Sequence, residues 1–192
     1  VGHNHAAAEE LKKLLDGKFF DSPKPKELIM KILKLATYPD NNDIVLDFFS
    51  GSATTVHAVM QLNAEDGGNR RFIMVQLPEV CGEKSEAFKA GEAYNAGYKN
   101  ICEIGKERIR RAGKKLLEAV DGQTILDVGF KVFKLDTSNM KLWDDTPIED
   151  GDLDTLFERI DEHINGLKAG RSDEDLLFEI LLKMGYPLTA AV

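Results

Sequence analysis

The segment Ile44–Thr55, Ile-Val-Leu-Asp-Phe-Phe-Ser-Gly-Ser-Ala-Thr-Thr, constrains the fold of this chain more than any other stretch. Ile44, Val45 and Leu46 form an unbroken aliphatic run, as the end of a buried parallel strand does. Ser50, Gly51, Ser52 and Ala53 then make a turn of small residues. Thr54 and Thr55 stand where they can cap a helix whose apolar positions are Val56, Val59, Met60 and Leu62. A strand, a tight turn and a helix N-terminus in that order make a site for a nucleotide-sized ligand. Small residues let the backbone approach the ligand, and the free N–H groups and dipole of the helix start favour a negative group.

Two ligands compete for such a turn. A dinucleotide site asks for Gly-x-Gly-x-x-Gly, whereas here only Gly51 is glycine, with Ala53 and Val56 at the other two places. The run instead places an acid at the strand end, then aromatics, then the turn: Asp47-Phe48-Phe49-Ser50-Gly51-Ser52-Ala53-Thr54-Thr55. This resembles the first motif of S-adenosylmethionine-dependent DNA amino-methyltransferases, Asp-x-Phe-x-Gly-Ser-Gly-Thr-Thr. Ala53 replaces its last glycine, and one added methyl group is expected to tighten the turn without removing the site. The methyltransferase reading leads, ahead of a nicotinamide dinucleotide site and of an ordinary strand-turn-helix with no ligand.

The rest of the sequence narrows the class. A chain of 192 residues, 43% hydrophobic and 30% charged, is long enough for one sizeable core. No apolar run approaches the roughly 20 residues of a membrane span and no signal-peptide pattern opens the sequence, so a cytoplasmic protein is expected. Cys81 and Cys102 stand apart and build neither a disulfide framework nor a Cys-x-x-Cys metal site. His3 and His5 form a His-x-His pair without a third ligand at a suitable spacing, so no metal is expected. The net charge of −8 is uneven: residues 144–192 carry 13 acids and 4 bases, leaving 20 acids and 21 bases of the totals of 33 and 25 to the first 143. That balance argues against a phosphate-binding surface spread over this chain. It also marks two regions, 1–143 and an acidic, helical 144–192.

Ahead of the turn, residues Ala6–Leu15 are rich in helix formers and stop at Asp16-Gly17. Ser22-Pro23-Lys24-Pro25 follows; each proline forces the residue before it to be extended, and Pro25 suits the first position of the next helix. Leu28, Ile29, Ile32, Leu33, Leu35 and Ala36 carry the amphipathic spacing of that helix. Arg71–Pro78 reads as a second buried strand, and Gln76 stands near the point where nucleotide folds carry a ribose-binding acid. Residues 80–98 read as a long loop or broken helix of the kind that forms lids. Lys99–Leu117 is a helix with Ile101, Ile104, Ile109 and Leu116 on its buried side. Its seven bases, Arg108 among them, either meet phosphates or make a solvated face with Glu103–Lys106 and Glu107–Arg111 pairs. Gly129–Asp136 alternates like an outer strand of the same sheet. Two further helices run through Leu153–Ile164 and from Ser172 through Leu181 to a stop at Gly185-Tyr186-Pro187.

Ser-Pro-Lys-Pro, the Asp47–Thr55 run, Asn63–Glu79, Lys106–Gly113 and Gly129–Asp136 together resemble the modification subunits of type III restriction-modification systems. Those are N6-adenine DNA methyltransferases of the permuted β class. The resemblance implies an α/β, partial Rossmann-like methyltransferase fold, a mostly parallel sheet flanked by helices, with an acidic helical C-terminal region. It implies S-adenosylmethionine as cofactor and DNA, a restriction subunit and a second copy of the subunit as partners. Carried onto this chain, the cofactor is held by Ser22, Lys24 and Pro25 across it, by Asp47 on its ammonium, by Phe48 and Phe49 on its sulfonium, by the run of turn N–H groups from Ser50 through Gly51, Ser52 and Ala53 to Thr54 on its carboxylate, and by Gln76 on its ribose. The β class also needs an Asp/Asn-Pro-Pro-Tyr tetrapeptide to grip a flipped adenine. The six prolines here include no adjacent pair, so a cofactor-binding part that transfers nothing by itself is expected. A non-enzymatic fragment whose acidic C-terminal helices dock a partner stays open beside this reading.

Overall fold

Strands β1 (Ile44–Phe48) and β2 (Arg71–Val75) pair in parallel, with Ile44 opposite Arg71 and Phe48 opposite Val75, in a computed structural model that describes residues 4–82, 90–119, 126–164 and 166–189. A parallel pair needs a crossover, and here it is helix α3 (Thr54–Asp66). Before β1 come α1 (Asn4–Leu15) and α2 (Lys26–Ala36); after β2 come α4 (Ala90–Asn95) and α5 (Ile101–Ala119). The β1–α3–β2 unit, with helices on either side of it in sequence, is of the α/β kind. Among the described residues no helix is long and apolar enough to cross a membrane.

The core lies on one face of the two strands. Val56 and Met60 of α3 meet Ile109, Ala112 and Leu116 of α5, with Phe72 and Met74 of β2 packed against them. On the other flank of α3, Ala58, Val59 and Leu62 meet Met30 and Leu33 of α2, with Val45 of β1 alongside. Helix α3 is therefore buried nearly all round, which is why its sequence is apolar without a clear stripe. Val56, Val59 and Leu62 have no exposed surface, and each contributes roughly 1.5–3 kcal/mol by burial.

The other face of the strands is open. Ile44, Leu46 and Phe48 of β1 and Ile73 and Val75 of β2 are all exposed, so the strands are covered on one side only. The expectation of fully buried parallel strands is corrected accordingly: the aliphatic run is that of a two-sided sheet, but the second layer is not supplied by the described residues. The expected outer strand Gly129–Asp136 pairs with neither β1 nor β2, and Val132, Phe133 and Leu135 are exposed. The sheet among the described residues thus has two strands, not a full Rossmann-like set.

The chain divides into two compact units, Val1–Phe130 and Lys131–Val192. In the second unit, α6 (Leu153–Ile164) and α7 (Asp173–Lys183) form where expected. Ser172 caps α7 in a reciprocal box with Asp175, and Gly185, at φ +80°, ends it. Glu179 accepts bonds from the Ser138 hydroxyl and the Asn139 N–H, and Phe133 meets Phe178 edge-on at 5.2 Å. Neither α6 nor α7 has a buried residue; Leu153, Phe157, Ile160 and Ile164 of α6 are all exposed.

His57, in the first turns of α3, is buried, and its Nδ1 has no partner among the described residues. Burial, then the positive charges of Arg108, Lys26 and Lys115, hold its pKa down at about 3. The folded chain keeps it neutral where the unfolded chain, near pKa 6.5, takes up a proton. Its contribution is therefore full above pH 6.5 and is lost as pH falls toward 3, at up to about 1.4 kcal/mol per pH unit. Urea unfolding at pH 6.5 and 4.5 checks this: the loss is expected to be smaller in His57→Gln by about 2 kcal/mol. Equal losses in both proteins would contradict the assignment.

Candidate functional site

The sequence places an acid at the end of β1 and a polar amide just past the end of β2, and parallel register brings the two strand ends side by side. Between them the chain turns through Phe49–Ala53 into α3. Gly51 has φ +52°, in the left-handed region that glycine enters without a steric penalty. Ala53 also sits there, at φ +58°, in a conformation that costs a non-glycine residue roughly 1–2 kcal/mol. Its methyl group is buried.

Ala53, not a threonine, is the N-cap of α3, and no side chain caps the helix. The expected capping by Thr54 and Thr55 is thus corrected. Both hydroxyls are drawn elsewhere: Thr55 Oγ1 donates to Asp47 Oδ2 at 2.5 Å, and Thr54 Oγ1 accepts from Arg108 Nη1 at 2.7 Å. Asp47 is thereby fixed on the covered side of β1, in line with the half-buried Val45. Phe48, one residue on, faces the open side, since successive side chains alternate across a strand. The structure does not bring Asp47 and Phe48 to one face. Phe48 and Phe49 are 64% and 66% exposed and lie edge to face with ring centroids 6.4 Å apart.

Gln76 does meet the turn, across 25 residues of chain. Its Oε1 accepts from the Gly51 N–H at 2.7 Å, and its Nε2 donates to the Leu77 carbonyl at 3.2 Å. The Ser50 N–H donates to Val75 O, and the Ala53 N–H donates to Ser50 O. Three turn N–H groups expected to face a ligand carboxylate are therefore bonded within the chain here. Ser52 and Thr54 are buried against Arg108.

The Ser22–Pro25 segment is anchored by its apolar members. Pro23 and Pro25 are buried, while Ser22 and Lys24 are exposed to solvent. Pro25 caps α2 and is not its first residue; its carbonyl accepts from the Leu28 and Ile29 N–H groups. Phe20, just upstream, brings the segment to the turn: a Cβ on Gly51 would stand 3.3 Å from Phe20 Cζ. Sequence reading overlooked that contact. The nearby 80–98 loop is pinned at both ends, since the Cys81 N–H donates to Lys99 O and the Ile101 N–H to Glu79 O. Its residues 83–89, like His3 of the His-x-His pair, lie outside the described residues.

Sequence reading also left Arg108 on an outward basic face. The structure corrects this: Arg108 is 1% exposed and cannot meet a phosphate on the surface. The signal was present, because 108 falls on the 101–104–105–108–109–112–116 stripe of buried positions. The Glu103–Lys106 and Glu107–Arg111 pairs of the solvated reading both form, each at 2.7 Å. At the opposite end of the strands, buried Arg70 bonds both carboxylate oxygens of Asp66 at 3.0 and 2.9 Å and donates to Thr37 Oγ1. Lys34 pairs with Glu65. The cleft there spends its polar groups on one another.

Comparison with known proteins decides the family: the model of the DNA methylase family, which covers N6 and N4 methyltransferases, matches residues 3–113, more than half of the chain. This chain belongs to the DNA methylase family. It is 41% identical over 145 residues to the type III restriction-modification enzyme StyLTI Mod subunit of Salmonella typhimurium, covering 76% of this chain and 21% of that one. With the EcoPI Mod subunit of Escherichia phage P1 it shares 44% identity over 126 residues, 66% of this chain and 18% of that one. With the type II methyltransferase M.KpnI of Klebsiella pneumoniae it shares 35% over 107 residues, 56% of this chain and 24% of that one. The chain spans about a fifth of the length of the Mod subunits it matches. The DNA methylase match ends at residue 113, inside α5, so it covers the whole of the strand-turn-helix site.

Proposed function

We propose that this chain is the S-adenosylmethionine-holding part of a DNA adenine-N6 methyltransferase of the type III restriction-modification kind. The observation that carries the reading is the left-handed Gly51, its N–H bonded to Gln76, in a turn that follows Asp47 at the adjoining ends of two parallel strands. The residues present fit the cofactor's chemistry. Asp47, with one oxygen engaged by Thr55, keeps its carboxylate for an ammonium group. The exposed rings of Phe48 and Phe49 offer π faces to a sulfonium cation, although Phe48 starts from the far side of β1. Gln76 reaches ribose hydroxyls by exchanging its bond to the Gly51 N–H, which frees that N–H for the ligand carboxylate. Bound there, S-adenosylmethionine supplies an electrophilic methyl group. This reading assigns Ser22, Lys24 and Pro25 to the cofactor as well, on the segment that follows Phe20, whose ring stands beside Gly51.

The whole protein's chemistry needs the clamp this chain lacks. The open face of β1 and β2, apolar from Ile44 to Val75, is where the remainder of a methyltransferase domain is seated in this reading. DNA is met through those other parts, in the cytoplasm. The exposed apolar stripe of α6, set among Asp154, Glu158, Asp161 and Glu162, favours a second role: docking of a partner such as a restriction subunit.

A melting experiment tests the cofactor reading. S-adenosylmethionine, or its demethylated product, is expected to raise the Tm by several degrees at concentrations about a hundred times its Kd, by linkage to the native state. A rise with NAD and none with S-adenosylmethionine would favour the nicotinamide site instead.

A further inference from the structure

Arg108 is a cation buried where burial is costly, and it has no carboxylate in ion-pair contact among the described residues. Burial lowers its pKa to about 10, with the charges of Glu10 and Glu27 partly offsetting it, so the guanidinium stays charged at neutral pH. Among the described residues its hydrogen bonds all go to one place. Nη1 donates to the Ser52 carbonyl at 3.4 Å, to Ser52 Oγ at 3.1 Å and to Thr54 Oγ1 at 2.7 Å. Nε is buried and has no hydrogen-bond partner among the described residues.

Two independent features explain why the turn needs such a tie. Its last residue, Ala53, is left-handed and gives α3 no side-chain cap, so the helix start lacks the usual local anchor. Helix α5 lies directly against the turn one helical turn before Arg108: a Cβ on Gly105 would stand 3.2 Å from the Gly51 carbonyl and 3.5 Å from Ala53 Cβ. Gly105 admits the backbone, and Arg108 bonds it.

We infer that Arg108 is a positioning residue for the cofactor site, holding the Ser52–Thr54 end of the turn and fixing the direction of its two hydroxyls. Both hydroxyl oxygens act as acceptors toward Arg108, so each O–H proton is turned away from the guanidinium. The cation behind the turn adds a fixed positive field on the side where a carboxylate is held. The inference rests on the cofactor reading above and deepens it: Arg108 acts on the methionine end of the ligand and leaves the nucleoside end alone.

The test is calorimetric titration of the full 192-residue chain with S-adenosylmethionine and, separately, with 5′-methylthioadenosine, which lacks the ammonium and carboxylate. Arg108→Met is expected to weaken S-adenosylmethionine binding by on the order of tenfold or more, as losing charge-assisted bonds does, with methylthioadenosine binding unchanged. Arg108→Lys, which keeps a buried donor, is expected to recover part of that loss; if the Met variant does not fold, the Lys variant decides by the same comparison. Equal affinity of wild type and variants for S-adenosylmethionine overturns the inference. So does an equal loss for both ligands, which would make Arg108 a general support of the fold. A wild-type chain that binds neither ligand would instead overturn the cofactor reading itself.

Discussion

Saturated with S-adenosylmethionine, this chain is expected to transfer no methyl group to DNA above background. The chemistry requires an adenine held out of the duplex with its amino nitrogen in line with the methyl group. In β-class enzymes that grip comes from a tetrapeptide with two adjacent prolines, and none of the six prolines here neighbours another. A misplacement of about 1 Å can cost on the order of a hundredfold in rate, so absence of the whole grip should cost far more. The electrostatics point the same way, since a chain of net charge −8 attracts little DNA to its pocket. Transfer of labelled methyl to mixed-sequence DNA, with a complete adenine methyltransferase alongside, measures this. Incorporation above background that disappears in Asp47→Ala would show that another residue of this chain grips the base.

Gly51→Val has the second-largest expected effect. The residue occupies φ +52°, where a β-branched side chain is strongly disfavoured, and its Cβ would meet Phe20 Cζ at 3.3 Å. Valine must therefore either distort the turn or push Phe20 aside, and its methyl groups close the backbone's approach to a ligand. Affinity for S-adenosylmethionine is expected to fall by at least about 3 kcal/mol, on the order of a hundredfold. The helical signal should survive, because α3 is held by Val56, Val59 and Leu62 rather than by the turn. Unchanged affinity in a folded variant would place the ligand elsewhere.

Much of this was legible because it is local. The strand-turn-helix from Ile44 to Leu62 declares itself through an aliphatic run, small residues and then a helical apolar pattern, and the structure forms each in place. The buried side of α5 was readable for the same reason, with Ile101, Ile104, Ile109 and Leu116 all inside. Periodicity does not tell which layer is present, however. The same Ile-Val-Leu run serves a sheet covered on both faces, and here Ile44 and Leu46 stay exposed. Alternation in Gly129–Asp136 likewise describes a strand only once a partner pairs with it, and neither β1 nor β2 does. The long-range parts of the site were the least legible. The bond from Gly51 to Gln76 spans 25 residues and that from Arg108 to Thr54 spans 54, and no local spacing announces either. An arginine on an otherwise apolar helix stripe was the available hint, and its charge made it look solvated.

The most direct measurement of the central claim is calorimetric titration of the wild-type chain with S-adenosylmethionine and NAD side by side. One saturable site for S-adenosylmethionine, removed by Gly51→Val and absent for NAD, is the predicted result. Saturable binding of NAD with no heat from S-adenosylmethionine would contradict the account.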